Sequence, residues 1–208
     1  MNNRSIPYKA LCTEYYDLDK PSAPQDALHC YLQYAQEAKG AILEPMCGSG
    51  SFLIPLLERG YAVMGFDYSP HMLEVCRSKC KALNITCNVM EATFETFPLS
   101  DLYDLIIIPS CSFCLLTTLD EIQFALTFIY DRLKKGGKFV FDVETLKAVG
   151  DSQGVWKGNW VSRADGAKIV ISSISRFNPL LKIETVMCRY ELWEENAIVQ
   201  TEVEDFRL

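Results

Sequence analysis

Between residues 41 and 143 the chain alternates short apolar runs with longer segments of helical spacing. The runs are Ala41–Glu44, Tyr61–Phe66, Ile85–Met90, Leu105–Ile108 and Lys138–Val143. Their length is that of strands rather than helices. Leu105-Ile106-Ile107-Ile108 has no polar alternation, which predicts a strand buried on both faces. Between the runs, apolar positions recur at helical intervals. Met72, Val75, Cys76, Cys80 and Leu83 share one face, and Ile122, Ala125, Leu126, Ile129 and Leu133 share another. The first of these helices is expected to start at Ser69 as its cap, with Pro70 in the first helical position. The second spans Leu119–Lys135 and stops at Gly136-Gly137, and a shorter helix is expected over Ser51–Arg59, closed by Gly60. Ahead of the first strand, a helix is predicted from Gln25 to Lys39, ending at Gly40. The residues before Gln25 are polar with scattered tyrosines, and no helix bounds are assigned there; the N-terminal part as a whole is expected to be helical.

After about residue 150 the texture changes. Trp156–Arg163, Ala167–Phe177, Leu180–Glu195 and Ile198–Leu208 read as extended segments, separated by Asp165-Gly166, Asn178-Pro179 and Asn196. Alternation at Ile169 and Ile171, and at Ile183, Thr185 and Met187, predicts an antiparallel meander. The fold class is therefore α/β: a Rossmann-like open parallel sheet with helices on both faces and right-handed crossovers, followed by an antiparallel β meander. Residues 1–150 are expected to form the α/β core and 151–208 the extension, within one structural unit.

Composition narrows the function. The chain has 208 residues, 49% hydrophobic and 23% charged, which is ordinary for a folded domain and argues against disorder. Lys and Arg number 20 against 27 Asp and Glu, a net charge of −7. Phosphate attraction needs a basic face, so no nucleic-acid partner is expected. The opening MNNRSIPYKA has no apolar run, and no stretch approaches a membrane span. Nine cysteines without a secretory signal read as reduced, mostly buried thiols in the cytoplasm. Cys111-x2-Cys114 lacks a second Cys or His pair at ligand spacing, so no metal site is expected.

The informative stretch is Glu44-Pro45-Met46-Cys47-Gly48-Ser49-Gly50, followed by Gly65-Phe66-Asp67. Gly48 and Gly50 lie between the first strand and the next helix, where glycine lets backbone approach a ligand closely. Asp67, closing the second strand, faces the same crevice, and its natural partner is a ribose diol. A dinucleotide site would need a third glycine where Leu53 stands. That counts against a nicotinamide oxidoreductase and leaves a nucleoside ligand without a pyrophosphate.

With these residues the chain resembles the class I S-adenosylmethionine-dependent methyltransferases, in particular bacterial small-molecule members. The resemblance rests on Ile42-Leu43-Glu44-Pro45-Met46-Cys47-Gly48-Ser49-Gly50, on Gly65-Phe66-Asp67-Tyr68-Ser69 with Met72-Leu73, and on Lys134-Lys135-Gly136-Gly137. It covers roughly residues 8–145 and implies S-adenosylmethionine as cofactor. By that resemblance Glu44, Met46, Cys47, Gly48, Ser49 and Gly50 shape the pocket for the cofactor's methionine part. Asp67 holds the ribose hydroxyls, Tyr68 and Met72 pack near the adenine, and Glu91 and Ala92 frame its edge. Pro109 and Ser110, with Cys111 and Ser112, face the methyl group. Tyr16, beside Asp17, resembles the segment that closes over the cofactor, making the N-terminal part a lid and the meander the substrate side.

Methyl transfer from a sulfonium is an in-line displacement in which alignment of nucleophile and methyl can supply on the order of 7–11 kcal/mol. No catalytic dyad is required. His29 and His71 are the only histidines, and neither is marked as a base. Pro-Ser-Cys-Ser after the fourth strand, unlike the Asn/Asp-Pro-Pro-Tyr loop of exocyclic-amine enzymes, favours a small-molecule acceptor. Trp156, Trp160 and Trp193 would line an apolar pocket or, as the plainer alternative, fill the face between meander and sheet. Related enzymes continue with a helix and two further strands, whereas this sequence reaches Leu208 where that continuation would begin. The fifth strand is then expected to be a sheet edge, which invites pairing with a second copy. An alternative reading is a methyltransferase-like binding module that does not catalyse.

Overall fold

The apolar runs pair into one parallel sheet; helices carry the chain back after the first, second and fourth strands, and a loop without a helix among the described residues joins the third to the fourth. The computed structural model describes residues 8–98, 100–150 and 152–208. The parallel strands are β1 (Ile42–Pro45), β2 (Val63–Asp67), β3 (Asn88–Glu91), β4 (Tyr103–Ile108) and β5 (Leu133–Phe141), in the order β3-β2-β1-β4-β5. The helices are α1 (Ala10–Asp19), α2 (Gln25–Glu37), α3 (Leu53–Glu58), α4 (Pro70–Ala82) and α5 (Leu119–Arg132). Short 3-10 turns follow β4 and β5 at Ser112–Leu115 and Leu146–Ala148.

The continuous apolar run of β4 divides its side chains between two cores. Leu105 and Ile107 join Ile42 of β1 against residues of α2, α3 and α4, among them Tyr31, Leu53 and Leu73. Ile106 and Ile108 join Leu43 on the opposite face, with Phe66, Phe94, Phe128 and Ile129. Helices therefore cover both faces, and full burial of each such side chain contributes roughly 1.5–3 kcal/mol. Ser69 caps α4 by accepting the Met72 N–H, with Pro70 following. Thr118 and Glu121 close a reciprocal capping box at the start of α5. β3 and β5 are the edges of this sheet. β5 starts five residues earlier than expected, at Leu133, because its pairing with β4 resumes after a register shift around Gly136-Gly137.

The meander forms as expected: β6 (Lys157–Ser162), β7 (Lys168–Asn178), β8 (Ile183–Glu194) and β9 (Ala197–Arg207) pair antiparallel in sequence order. By contact the chain divides into Ser22–Val143, which holds the parallel sheet, and Met1–Pro21 together with Glu144–Leu208, which hold α1 and the meander. The sequence reading grouped the N-terminal residues with the parallel sheet as a helical lid and gave bounds only to the helix from Gln25. In the structure α1 buries Leu11, Cys12 and Tyr15 against Ile169, Cys188, Tyr190 and Leu192. The start of α1 is satisfied from β9. The Tyr8 and Lys9 amides donate to the Glu204 carboxylate at 2.6 and 2.8 Å, and the Leu11 amide donates to Glu202 at 2.8 Å. Carboxylates at a helix N-terminus are favoured by both its free N–H groups and its dipole. Trp156 and Trp160 are more than half exposed, and the Lys168 ammonium lies 4.6 Å from the Trp160 ring centre.

β2 can lie against the turn after β1 only because residue 65 has no side chain. A Cβ on Gly65 would meet Leu53 Cδ1 at 2.5 Å and Cys47 Sγ at 2.8 Å. Leu53 is fully buried and Cys47 nearly so, leaving them little room to move. Gly65→Ala is expected to destabilise the protein by about 1–3 kcal/mol through overpacking. The thermal midpoint should drop by roughly 2–4 °C per kcal/mol. An unchanged midpoint would show that the turn is not held this tightly.

Candidate functional site

In a parallel sheet every strand ends at the same side, and the crevice opens where the strand order reverses, here between β1 and β4. All four residues of β1 are buried, so Glu44 enters the core one residue before the strand ends. The chain then turns sharply. Met46, Gly48 and Gly50 all have positive φ, at 58°, 52° and 82°. The turn is fastened by the Cys47 amide donating to the Phe66 carbonyl at 3.1 Å and the Gly50 amide donating to the Cys47 carbonyl at 3.0 Å. Ser49 is buried within it, and its Oγ lies 3.3 Å from Lys79 Nζ.

Asp67 closes β2 and joins the turn directly. Its Oδ2 accepts the Gly48 amide and its Oδ1 accepts the Ser69 amide, both at 2.8 Å. A carboxylate has about four acceptor positions, so acceptor capacity remains for a ligand's hydroxyl. Met72 stands beneath the turn, buried, with its sulfur 4.0 Å from where a Cβ on Gly48 would be. Tyr68 is exposed beside Asp67. Glu91 is paired in register with Asp67, and the Ala92 amide donates to the Asp67 carbonyl at 3.0 Å. After β4, Pro109 is buried, and Ser110 and Cys111 adopt consecutive left-handed conformations at φ 59° and 55°. For residues with a Cβ this costs about 1–3 kcal/mol each, a strain that clusters at functional sites.

The residues singled out in sequence thus converge on the carboxyl ends of β1, β2, β3 and β4, with one exception. Tyr16 belongs to α1, in the unit that holds the meander, where the Tyr8 ring meets it edge-on and the Lys20 ammonium lies over it. Sequence reasoning passed over Tyr31 and Asp142. The Tyr31 hydroxyl of α2 donates to Asp142 Oδ1 at 2.8 Å, and the Cys111 thiol lies 3.8 Å from Asp142 Oδ2. Asp142 follows β5 as Asp67 ends β2, and that repeated acid-after-strand pattern was the available signal. His29 pairs with Gln33 on the exposed side of α2.

The electrostatics centre on Glu44. Its side chain is buried, and Oε2 has no hydrogen-bond partner among the described residues. Burial, and then the nearby charge of Asp67, push its pKa well above the usual carboxylate value. Burial also raises Asp67, while the amides of Ser69, Gly48 and Tyr68 pull it back down. The site therefore presents one carboxyl held by amides and one buried carboxyl with an oxygen unpaired among the described residues. A cationic group beside Glu44, with a diol at Asp67, would complete it.

The chain is similar to known methyltransferases in sequence and in fold. Residues 42–137 match a family model described as a methyltransferase domain. A Geobacillus sp. (strain WCH70) protein carrying the name "Putative methyltransferase" is 27% identical over 136 residues, which is 63% of this chain and 55% of that protein. The chain thus spans about half the length of this curated relative. Among solved structures, an S-adenosylmethionine-dependent methyltransferase from Clostridium acetobutylicum ATCC 824 aligns with TM-score 0.73 and 15% identity, over 92% of this chain and 77% of that one. The sugar N-methyltransferase KedS8 from Streptoalloteichus sp ATCC 53650 aligns with TM-score 0.68 and 20% identity, over 88% and 71%. At these identities the structural matches establish the fold: a Rossmann-like parallel sheet with a meander.

The position of Glu44 gives a pH dependence with a definite sign. Unfolded, Glu44 ionises near 4.5. Above that pH the folded chain keeps a proton there that the unfolded chain has lost, so rising pH costs stability until the raised folded value is passed. Without ligand, the thermal midpoint is expected to fall from mildly acidic to mildly alkaline pH. Glu44→Gln, neutral throughout, should flatten that slope, and an unchanged slope would remove Glu44 as the titrating group.

Proposed function

We propose that this chain, which carries a methyltransferase-family domain at residues 42–137, binds S-adenosylmethionine at the ends of β1, β2 and β3 and methylates a small-molecule acceptor. The observation that carries the reading is the pair of carboxyl groups at the glycine turn. Buried Glu44 has an oxygen, unpaired among the described residues, suited to an ammonium group, and Asp67, fixed by two amides, has acceptor capacity left for a ribose hydroxyl. Burying the Glu44 charge alone is unfavourable, whereas burying it beside a cation is compensated. Ligand binding at Glu44 would then release its proton, so affinity should rise with pH across the range in which the empty site is protonated.

The cofactor would supply a methyl group already activated on a sulfonium. The chain's own residues have the task of orientation. The left-handed turn through Met46, Gly48 and Gly50 keeps the backbone at the crevice free of bulk, and Met72 gives it an apolar floor. The strained pair Ser110-Cys111 and the carboxylate of Asp142 stand at the ends of β4 and β5, on the acceptor's side. A small acceptor is supported by the net charge of −7, unfavourable for nucleic acid, and by the acceptor class in the name of KedS8.

Isothermal titration tests this. S-adenosylmethionine and S-adenosylhomocysteine are expected to bind one per chain, and NAD not at all. Asp67→Ala and Glu44→Gln should each weaken binding by about tenfold or more, as loss of a charge-assisted contact implies. At about 100 times the dissociation constant, either ligand should raise the thermal midpoint by roughly 5–10 °C. A folded protein that binds neither adenosyl ligand would overturn the reading. Binding without methylation of any small amine or hydroxyl acceptor would leave a cofactor-binding module.

A further inference from the structure

Three thiols that the glycine-turn site does not use meet at one point. Cys76 and Cys80 lie one turn apart on the inner face of α4, and Cys87 stands just before β3. Residues four apart on a helix face the same way. Cys87 is brought to them by the reversal after α4, where Asn84 takes a left-handed φ of 54°. The Ile85 amide donates to the carbonyl of Cys80 itself, at 2.8 Å. The three sulfur atoms all lie within 4.8 Å of one another. Cys76 and Cys80 are buried, and Cys87 is half-buried, which leaves one side of the cluster open to an entering ion.

We propose that Cys76, Cys80 and Cys87 form a binding site for a single soft, closed-shell metal ion of the Zn(II), Cd(II) or Cu(I) class. Thiolate ligands select such ions over hard oxygen-seeking ones. With sulfur about 2.3 Å from the metal, three ligands sit roughly 4 Å apart, a spacing the cluster reaches without rebuilding its elements. Each metal–sulfur bond replaces a sulfur–hydrogen bond. A divalent ion and three thiols give a trithiolate of charge −1 and three protons in solution, with no change of oxidation state.

The plainer reading, three small apolar side chains filling a core, accounts for Cys76 and Cys80 on their helix. Cys87 also packs against that core, and what packing alone does not require is that all three sulfurs lie within 4.8 Å of one another. The site also touches the glycine turn. A Cβ on Gly50 would lie 2.7 Å from Cys76 Sγ, so the sulfur packs directly under the turn. An ion bridging α4 to the start of β3 would therefore brace the floor of the turn.

The test is an anaerobic titration of the reduced full-length protein with Cd(II) in the presence of a competing chelator, followed by the near-ultraviolet thiolate-to-metal band. Wild type is expected to bind one ion with a band of three-thiolate intensity, and to gain thermal stability. Cys87→Ser, at a half-buried position that tolerates the change, should lose about tenfold or more in affinity and a third of the band. Cys80→Ser should behave alike, while Cys30→Ser, an exposed thiol outside the cluster, should match wild type. Wild type that binds no ion against the chelator, or Cys87→Ser that binds as wild type does, would overturn the proposal. Each outcome is read by metal binding alone and is independent of whether the chain binds S-adenosylmethionine.

Discussion

The constraint on which the parallel-sheet unit depends is the complete enclosure of β1. It has β2 on one side and β4 on the other, and apolar cores above and below. A strand so enclosed leaves its chain only one exit, an abrupt turn at its carboxyl end, and the positive φ of Met46, Gly48 and Gly50 supplies it. The turn then has to fit against β2, which Gly65 permits. Turn, strand spacing and the Asp67 position are thus one geometric solution.

The same enclosure sets the chemistry. It forces the Glu44 carboxyl out of water, where its charge is costly without a partner. Asp67, one strand away, is also largely removed from solvent yet is stabilised by backbone amides. Burial raises both acids, and at Asp67 the backbone amides oppose that rise. The unpartnered one is the group that a cationic ligand would change most. At the end of β4, backbone strain at Ser110-Cys111 is held in place by a strand whose last four residues, 105–108, are buried on both faces. Stability invested in the sheet holds the site in conformations the isolated segments would not keep.

α4 connects the two proposed sites. Its N-terminal turn, capped by Ser69, carries Met72 under Gly48, and one turn further on Cys76 packs under Gly50. The helix is therefore the floor of the glycine turn and the wall of the thiol cluster. Motion of α4 relative to β3 would be felt in both places.

The order of parallel strands and helices was legible because local pattern decides it. The branched run Leu105–Ile108 has no polar face to expose, Ser69-Pro70 starts a helix by its own chemistry, and glycines at 48 and 50 mark a turn that other residues strain to make. The acid after β2 was legible for the same reason, its place in a strand–turn frame. What depended on distant residues was not. The bounds of α1 were missed because its start is satisfied by Glu202 and Glu204, separated from it by 191 and more positions in sequence. Asp142 becomes notable only when α2 and the loop after β4 bring Tyr31 and Cys111 to it. Cys87 looked like any buried thiol until a left-handed Asn84 folded it onto α4. Sequence determined the backbone's local choices, each settled within a few residues by sterics and periodicity. Tertiary structure decided which polar groups meet, because burial and hydrogen bonding depend on neighbours that folding alone brings together.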